Sequence, residues 1–124
     1  MYKRQLGEDF NQTVDRLPQG LTHLTLGRYF NQSVDRLPQG LTHLTFGENF
    51  NQSVDRLPQG LTHLTLGYYF NQSADSLPQG LTHLMLKTGI AKQSAQKFPA
   101  SLTLIKVGQR EFRSVIELIK ATSG

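Results

Sequence analysis

The chain has 124 residues, 37% hydrophobic and 9% aromatic, which is enough for one modest core and too little for two domains. It contains no cysteine, so a disulfide framework and a thiolate metal site are both excluded. The formal charge of +4 is unevenly spread: residues 1–86 hold six Lys/Arg against seven Asp/Glu, and residues 87–124 hold seven against two.

At the amino end, "MYKRQLGEDF" has no apolar stretch after its basic residues, so it does not read as a secretion signal. No segment reaches the apolar length of a membrane helix, and a cytoplasmic setting is expected. Met1 to Gln5 takes a strand position in which Arg4 stands where Leu24, Leu44 and Leu64 stand later, a polar opening coil.

From Leu6 to Leu86 the sequence repeats every 20 residues without slippage; "FNQSVDRLPQGLTHLT" at Phe30–Thr45 returns unchanged at Phe50–Thr65. Self-similarity at such a period predicts a solenoid. In each unit, Leu24 and Leu26 (and their equivalents) alternate with His23, Thr25 and Gly27, the mark of a short strand with one buried face. The "LPQG" before each strand supplies the turn, and no apolar run at helical spacing fits between strands. One coil alone buries half of its inward side chains and leaves both strand edges open. Stacking the coils closes both deficits.

The pattern "LTHLTLGRYFNQSVDRLPQG" resembles the shortest leucine-rich repeats, L-x-x-L-x-L, and "LTHLTFGENFNQ" is more closely similar to the FNIP repeats, named for Phe-Asn-Ile-Pro. The Phe-Asn pair occurs at Phe10–Asn11, Phe30–Asn31, Phe50–Asn51 and Phe70–Asn71, although Ser or Thr stands where Pro is frequent and the unit is 20 residues rather than 22. The resemblance covers residues 5–86 closely and 87–108 loosely. It implies a mainly β, right-handed, leucine-rich-repeat-like solenoid of parallel strands with a binding role. Family members are often joined to an F-box; none is readable in these residues, so that role is not carried over.

Asn11, Asn31, Asn51 and Asn71 are expected to turn inward as a ladder, their amides satisfying backbone groups of the bend and the next coil. Each also opens an Asn-Gln-Ser/Thr glycosylation acceptor. A buried ladder conflicts with glycan attachment, and the conflict favours the cytosol.

Residues 87–108 read as a fifth, degenerate coil, because "FPASLTLIKV" keeps the frame one residue late with Leu102, Ile105 and Val107 inward. The solenoid is thus assigned to residues 1–108. Residues 109–124 are predicted to be a capping helix, with Phe112, Val115, Ile116 and Ile119 on one face and Lys106, Arg110, Arg113 and Lys120 on the wet side.

His23, His43, His63 and His83 share one register on the outward strand face, beside Thr25, Thr45 and Thr65. No carboxylate or thiolate shares that face, so neither metal nor cofactor is expected. Protonation of the column below about pH 6 would set like charges side by side. The main variation between units is the pair after the strand: Glu8–Asp9, Arg28–Tyr29, Glu48–Asn49 and Tyr68–Tyr69. Tyr and Arg commonly anchor interfaces. Repeated Ser, His and Asp on different faces form no triad, and catalysis is not expected. The reading is therefore a non-enzymatic module that binds a protein partner through the His/Thr face and the Arg28, Tyr29, Glu48, Asn49, Tyr68 and Tyr69 rim. The alternative is a self-assembling stack joined through its ends; nucleic acid ranks third, resting on the basic tail alone, and no membrane role is expected.

Overall fold

The computed structural model describes residues 3–87 and 95–123. Seven short strands form one sheet in chain order. They are β1 (Lys3–Gln5), β2 (His23–Thr25), β3 (His43–Thr45), β4 (His63–Leu66), β5 (His83–Leu86), β6 (Leu104–Val107) and β7 (Arg110–Phe112). β1 to β6 are parallel neighbours, and β7 folds back antiparallel on β6. The register steps by one period: Leu24 pairs with Leu44, Leu44 with Leu64, and Leu64 with Leu84. Leu84 then pairs with Ile105, a step of 21, which is the one-residue delay visible in the sequence. The chain is a β-solenoid of 20-residue coils.

The core is built by columns. Leu21, Leu41, Leu61 and Leu81 have no exposure, nor do Phe30 and Phe50. The rings of Phe10, Phe30, Phe50 and Phe70 lie parallel at 6.1–6.2 Å, one per coil. Phe46 replaces the leucine found at positions 26 and 66, and its ring lies 3.7 Å from that of Phe50. Each buried side chain of this size contributes about 1.5–3 kcal/mol, so a column rather than a single coil supplies stability. Backbone bonds run between coils as well: Thr42 N–H donates to Thr22 O at 2.9 Å, and Thr62 and Thr82 repeat the bond. The "PQG" turns close with Leu21, Leu41, Leu61 and Leu81 donating to the proline carbonyls at 3.2–3.3 Å.

Close stacking explains the glycine after each strand. A Cβ on Gly47 would stand within 3.0 Å of Gly27 O, Gly27 C and Arg28 Cα, all backbone of the coil below. Gly67 faces the same obstacle from Gly47 and Glu48. Lys87 stands at this position in the next coil, its N–H donating to Leu66 O at 3.3 Å. Residues 88–94 of the degenerate coil, together with Met1 and Tyr2, lie outside the described residues. Leu102 and Ile105 are buried as expected, while Val107 is half-buried.

The carboxyl-terminal segment differs from the expectation of a helix throughout 109–124. Gly108, at φ 60°, turns the chain so that Arg110–Phe112 becomes β7, and helix α1 spans Val115–Ser123. Phe112 reaches the core from a strand, paired with Ile105. Leu118 is the buried residue of α1, whereas Ile116 is 66% exposed and not on the packed face. Ser114 Oγ accepts from Glu117 N–H at 3.2 Å, and Glu117 Oε1 accepts from Arg113 N–H at 3.3 Å, a reciprocal cap that starts the helix here. No described helix is long and apolar enough to cross a membrane.

Candidate functional site

Strand alternation places the four histidines on the outer face, and parallel pairing stacks them. Adjacent rings of His23, His43, His63 and His83 lie 4.1 Å apart and within 13° of parallel. Each Nδ1 meets the hydroxyl of the preceding threonine at 2.8–2.9 Å: Thr22, Thr42, Thr62 and Thr82. The hydroxyls of Thr42, Thr62 and Thr82 also lie 3.1–3.3 Å from the carbonyl of the threonine one coil earlier. A hydroxyl has one proton to give, so the tautomer of each ring decides whether Nδ1 donates to the threonine or accepts from it.

Burial, more than anything else, holds His43 and His63 below the ordinary imidazole value of 6.5; the neighbouring histidines, and Lys3 in the case of His43, push the same way. With rings parallel and stacked, the four imidazoles run side by side rather than converge on one point. No group of three or more His, Cys, Asp or Glu among the described residues could hold a metal ion. Thr25 is exposed, while Thr45 and Thr65 are half-buried beside the column. His43, His63, His83, Thr45, Thr65 and Met85 line a shallow groove of about 210 Å³.

The variable pair occupies a turn pinned from below. Tyr29 N–H donates to Glu8 O, Asn49 N–H to Arg28 O and Tyr69 N–H to Glu48 O, at 3.0–3.1 Å. The backbone of this rim is therefore fixed while its side chains are free to differ. Arg28 Nε lies 3.6 Å from Glu48 Oε2, and the guanidinium pKa is raised first by a hydrogen bond to Tyr29, then by Glu48 and Glu8. Tyr29, Tyr68 and Tyr69 are 46%, 54% and 65% exposed. Glu48 and Asn49 are half-buried. Face and rim meet: Thr65 and Met85 share with Tyr68 a cleft of about 240 Å³, completed by Lys87, Lys106 and Gln109. The repeat pattern does not mark Lys106 as a site residue, whereas Lys87 is signalled by its break in the glycine column.

The asparagines lie on another part of the coil. Asn11 Oδ1 accepts from Asn31 N–H at 2.8 Å, Asn31 Oδ1 from Asn51 N–H at 2.8 Å, and Asn51 Oδ1 from Asn71 N–H at 2.7 Å. Gln32, Gln52 and Gln72 add a second donor to each rung through Nε2, at 3.1–3.3 Å. The position differs from the inward one expected: Asn11 and Asn71 are exposed, and Asn31 and Asn51 are half-buried. The bend is hydrogen-bonded coil to coil yet open to solvent. The burial argument against glycan attachment therefore falls away.

Ser33 Oγ accepts from the N–H of Asp35 at 3.3 Å, a local turn contact repeated at Ser53 and Ser73. The recurring serines thus hold turns.

The family model FNIP Repeat matches residues 10–49 and again residues 50–88, well over half of the chain. No curated protein matches it.

Proposed function

The chain belongs to the FNIP-repeat family, and on that footing we propose that it is a non-enzymatic module that binds a protein partner across the His/Thr strand face and the adjoining Tyr/Arg/Glu rim. One observation carries the reading: Tyr68 of the rim and Thr65 of the face line a single cleft, so the two surfaces are continuous. A constant histidine column lies beside a rim whose backbone is pinned and whose side chains vary, as recognition surfaces on rigid scaffolds do. Three exposed tyrosines on that rim supply aromatic area of the kind that anchors interfaces. A cytoplasmic setting belongs to the same reading.

The test is capture from source lysate with the intact chain and with a variant carrying Tyr29→Ala, Tyr68→Ala and Tyr69→Ala. Loss of the captured proteins is expected, with an Asp35→Ala, Arg36→Ala variant away from the rim retaining them. If the tyrosine variant captures the same set, the rim is not the binding surface.

A second reading, self-assembly, has β1 in its favour, since among the described residues that strand pairs only with β2 and is exposed throughout. Against head-to-tail stacking, β7 occupies the opposite edge of the sheet. Solution mass across a hundredfold dilution separates the two readings: it stays constant for the binding module and changes for a self-assembling stack.

A further inference from the structure

The strand face is bounded by cations at both ends. Lys3 lies in β1, and Lys106 in β6 pairs with Met85, extending the column of Thr25, Thr45 and Thr65. Lys87 stands in the glycine column and is exposed. Ion pairs among the described residues join Arg28 to Glu48, Lys97 to Asp75 and Arg113 to Glu111, and neither Lys87 nor Lys106 takes part. Glu111 lies opposite Lys106 in the β6–β7 register but is held by Arg113 at 3.6 Å. Among the described residues, charged and titratable groups on the face are thus Lys3, the four histidines, Lys87, Lys106 and Glu111, with Glu8, Asp9, Arg28 and Glu48 on the rim beside it. The carboxyl-terminal end of the face is electropositive at neutral pH and becomes more so as the histidines protonate.

The cleft there has the shape to use that charge. Tyr68 and Met85 offer apolar walls, Lys87 and Lys106 two ammonium groups, and Gln109 a neutral donor. Gly108 forms part of the lining, and its left-handed backbone leaves that side without a side chain. We infer that this cleft binds an anionic side chain of the protein partner, within an acidic or phosphorylated segment lying along the strand face. The anion sits between the two ammonium groups while its stem packs on Met85 and the Tyr68 ring. A carboxylate and a phosphate share this chemistry. A polynucleotide suits the surface less well: the face offers imidazoles already stacked on one another rather than open rings for bases, and too few cations to track a backbone.

This inference rests on the strand face being the partner surface, and its test is separable from that reading. Fluorescein-labelled decapeptides rich in glutamate, their glutamine counterpart, a phosphotyrosine peptide and a single-stranded oligonucleotide are titrated into the intact chain and followed by anisotropy. The glutamate or phosphotyrosine peptide is expected to bind, the tighter arm identifying the anion, with the glutamine peptide about tenfold weaker or worse. Lys87→Gln with Lys106→Gln should weaken binding about fivefold or more. Lys97→Gln, which removes an equal charge already paired with Asp75, should not. Equal binding of glutamate and glutamine peptides, equal loss in the Lys97 variant, no peptide binding, or tighter binding of the oligonucleotide each overturns the inference. If it fails while the tyrosine variant still abolishes capture from lysate, the face remains the binding surface and only the assigned chemistry is wrong.

Discussion

Replacing Gly47 by alanine should damage this protein far more than one methyl group ordinarily would. The added Cβ meets Gly27 O, Gly27 C and Arg28 Cα of the coil below, the last two at 2.6 and 2.9 Å. All are backbone atoms, which cannot swing aside. Relief requires the coils to part, which stretches the neighbouring Asn49 N–H to Arg28 O bond from its 3.0 Å. Overpacking of this kind costs about 1–3 kcal/mol, and loss of one coil-to-coil hydrogen bond adds about 1 kcal/mol. A total near 3 kcal/mol is a large part of a stability that lies between about 5 and 15 kcal/mol. For a chain of this length it lowers the melting temperature by roughly 10 °C. Gly80→Ala is the control: nothing lies within 4 Å of its Cβ position, and its backbone is not left-handed. That change should be neutral or stabilising by up to about 1 kcal/mol. Thermal and urea unfolding of both variants checks the contrast. Equal stability of the two would refute the argument that coils approach to backbone contact.

Two further outcomes follow from the hydrogen-bonding columns. His43 and His63 are held below 6.5, so the unfolded chain takes up protons first as pH falls; their contribution is intact above about pH 6.5 and is lost as pH drops through the lower folded values. Urea midpoints should therefore fall between pH 7 and pH 5, less steeply in a His43→Gln, His63→Gln variant, and a profile equally steep in both would assign the loss elsewhere. Asn51→Ala removes the Oδ1 that accepts from Asn71 N–H and Gln72 Nε2, which should cost about 1–2 kcal/mol in urea unfolding, with faster hydrogen exchange at the Asn71 amide. Unchanged exchange there would show that the rung is not formed in solution.

The strands and core were legible because an exact 20-residue period repeats one environment several times, and because alternation separates Leu44 and Leu64 from His43 and Thr65. The 21-residue step into β6 was equally visible. The end of the chain was harder to read. In a segment as short as Arg110–Ile119, apolar residues at 112, 115, 116 and 119 fit a helical face, and only the turn at Gly108 makes Phe112 a strand residue. Once α1 starts at Val115, Leu118 takes the buried position and Ile116 points outward. The Asn column could be anticipated from register, but its exposure depends on what lies outside the bend, which composition does not encode. The histidine spacing was readable. The cleft beside Lys87 and Lys106 needs the chain folded before its walls meet.

Removing one whole coil, residues 41–60, tests most directly the claim that coils sustain one another. The cut joins identical registers, so Leu64 should pair with Leu24 and the shortened chain should fold with the same circular dichroism shape. Its urea midpoint should be lower, in one cooperative transition, because a column with one coil and one coil-to-coil interface fewer has less to hold it. An unchanged midpoint, or loss of the β signal under native conditions, would contradict the account.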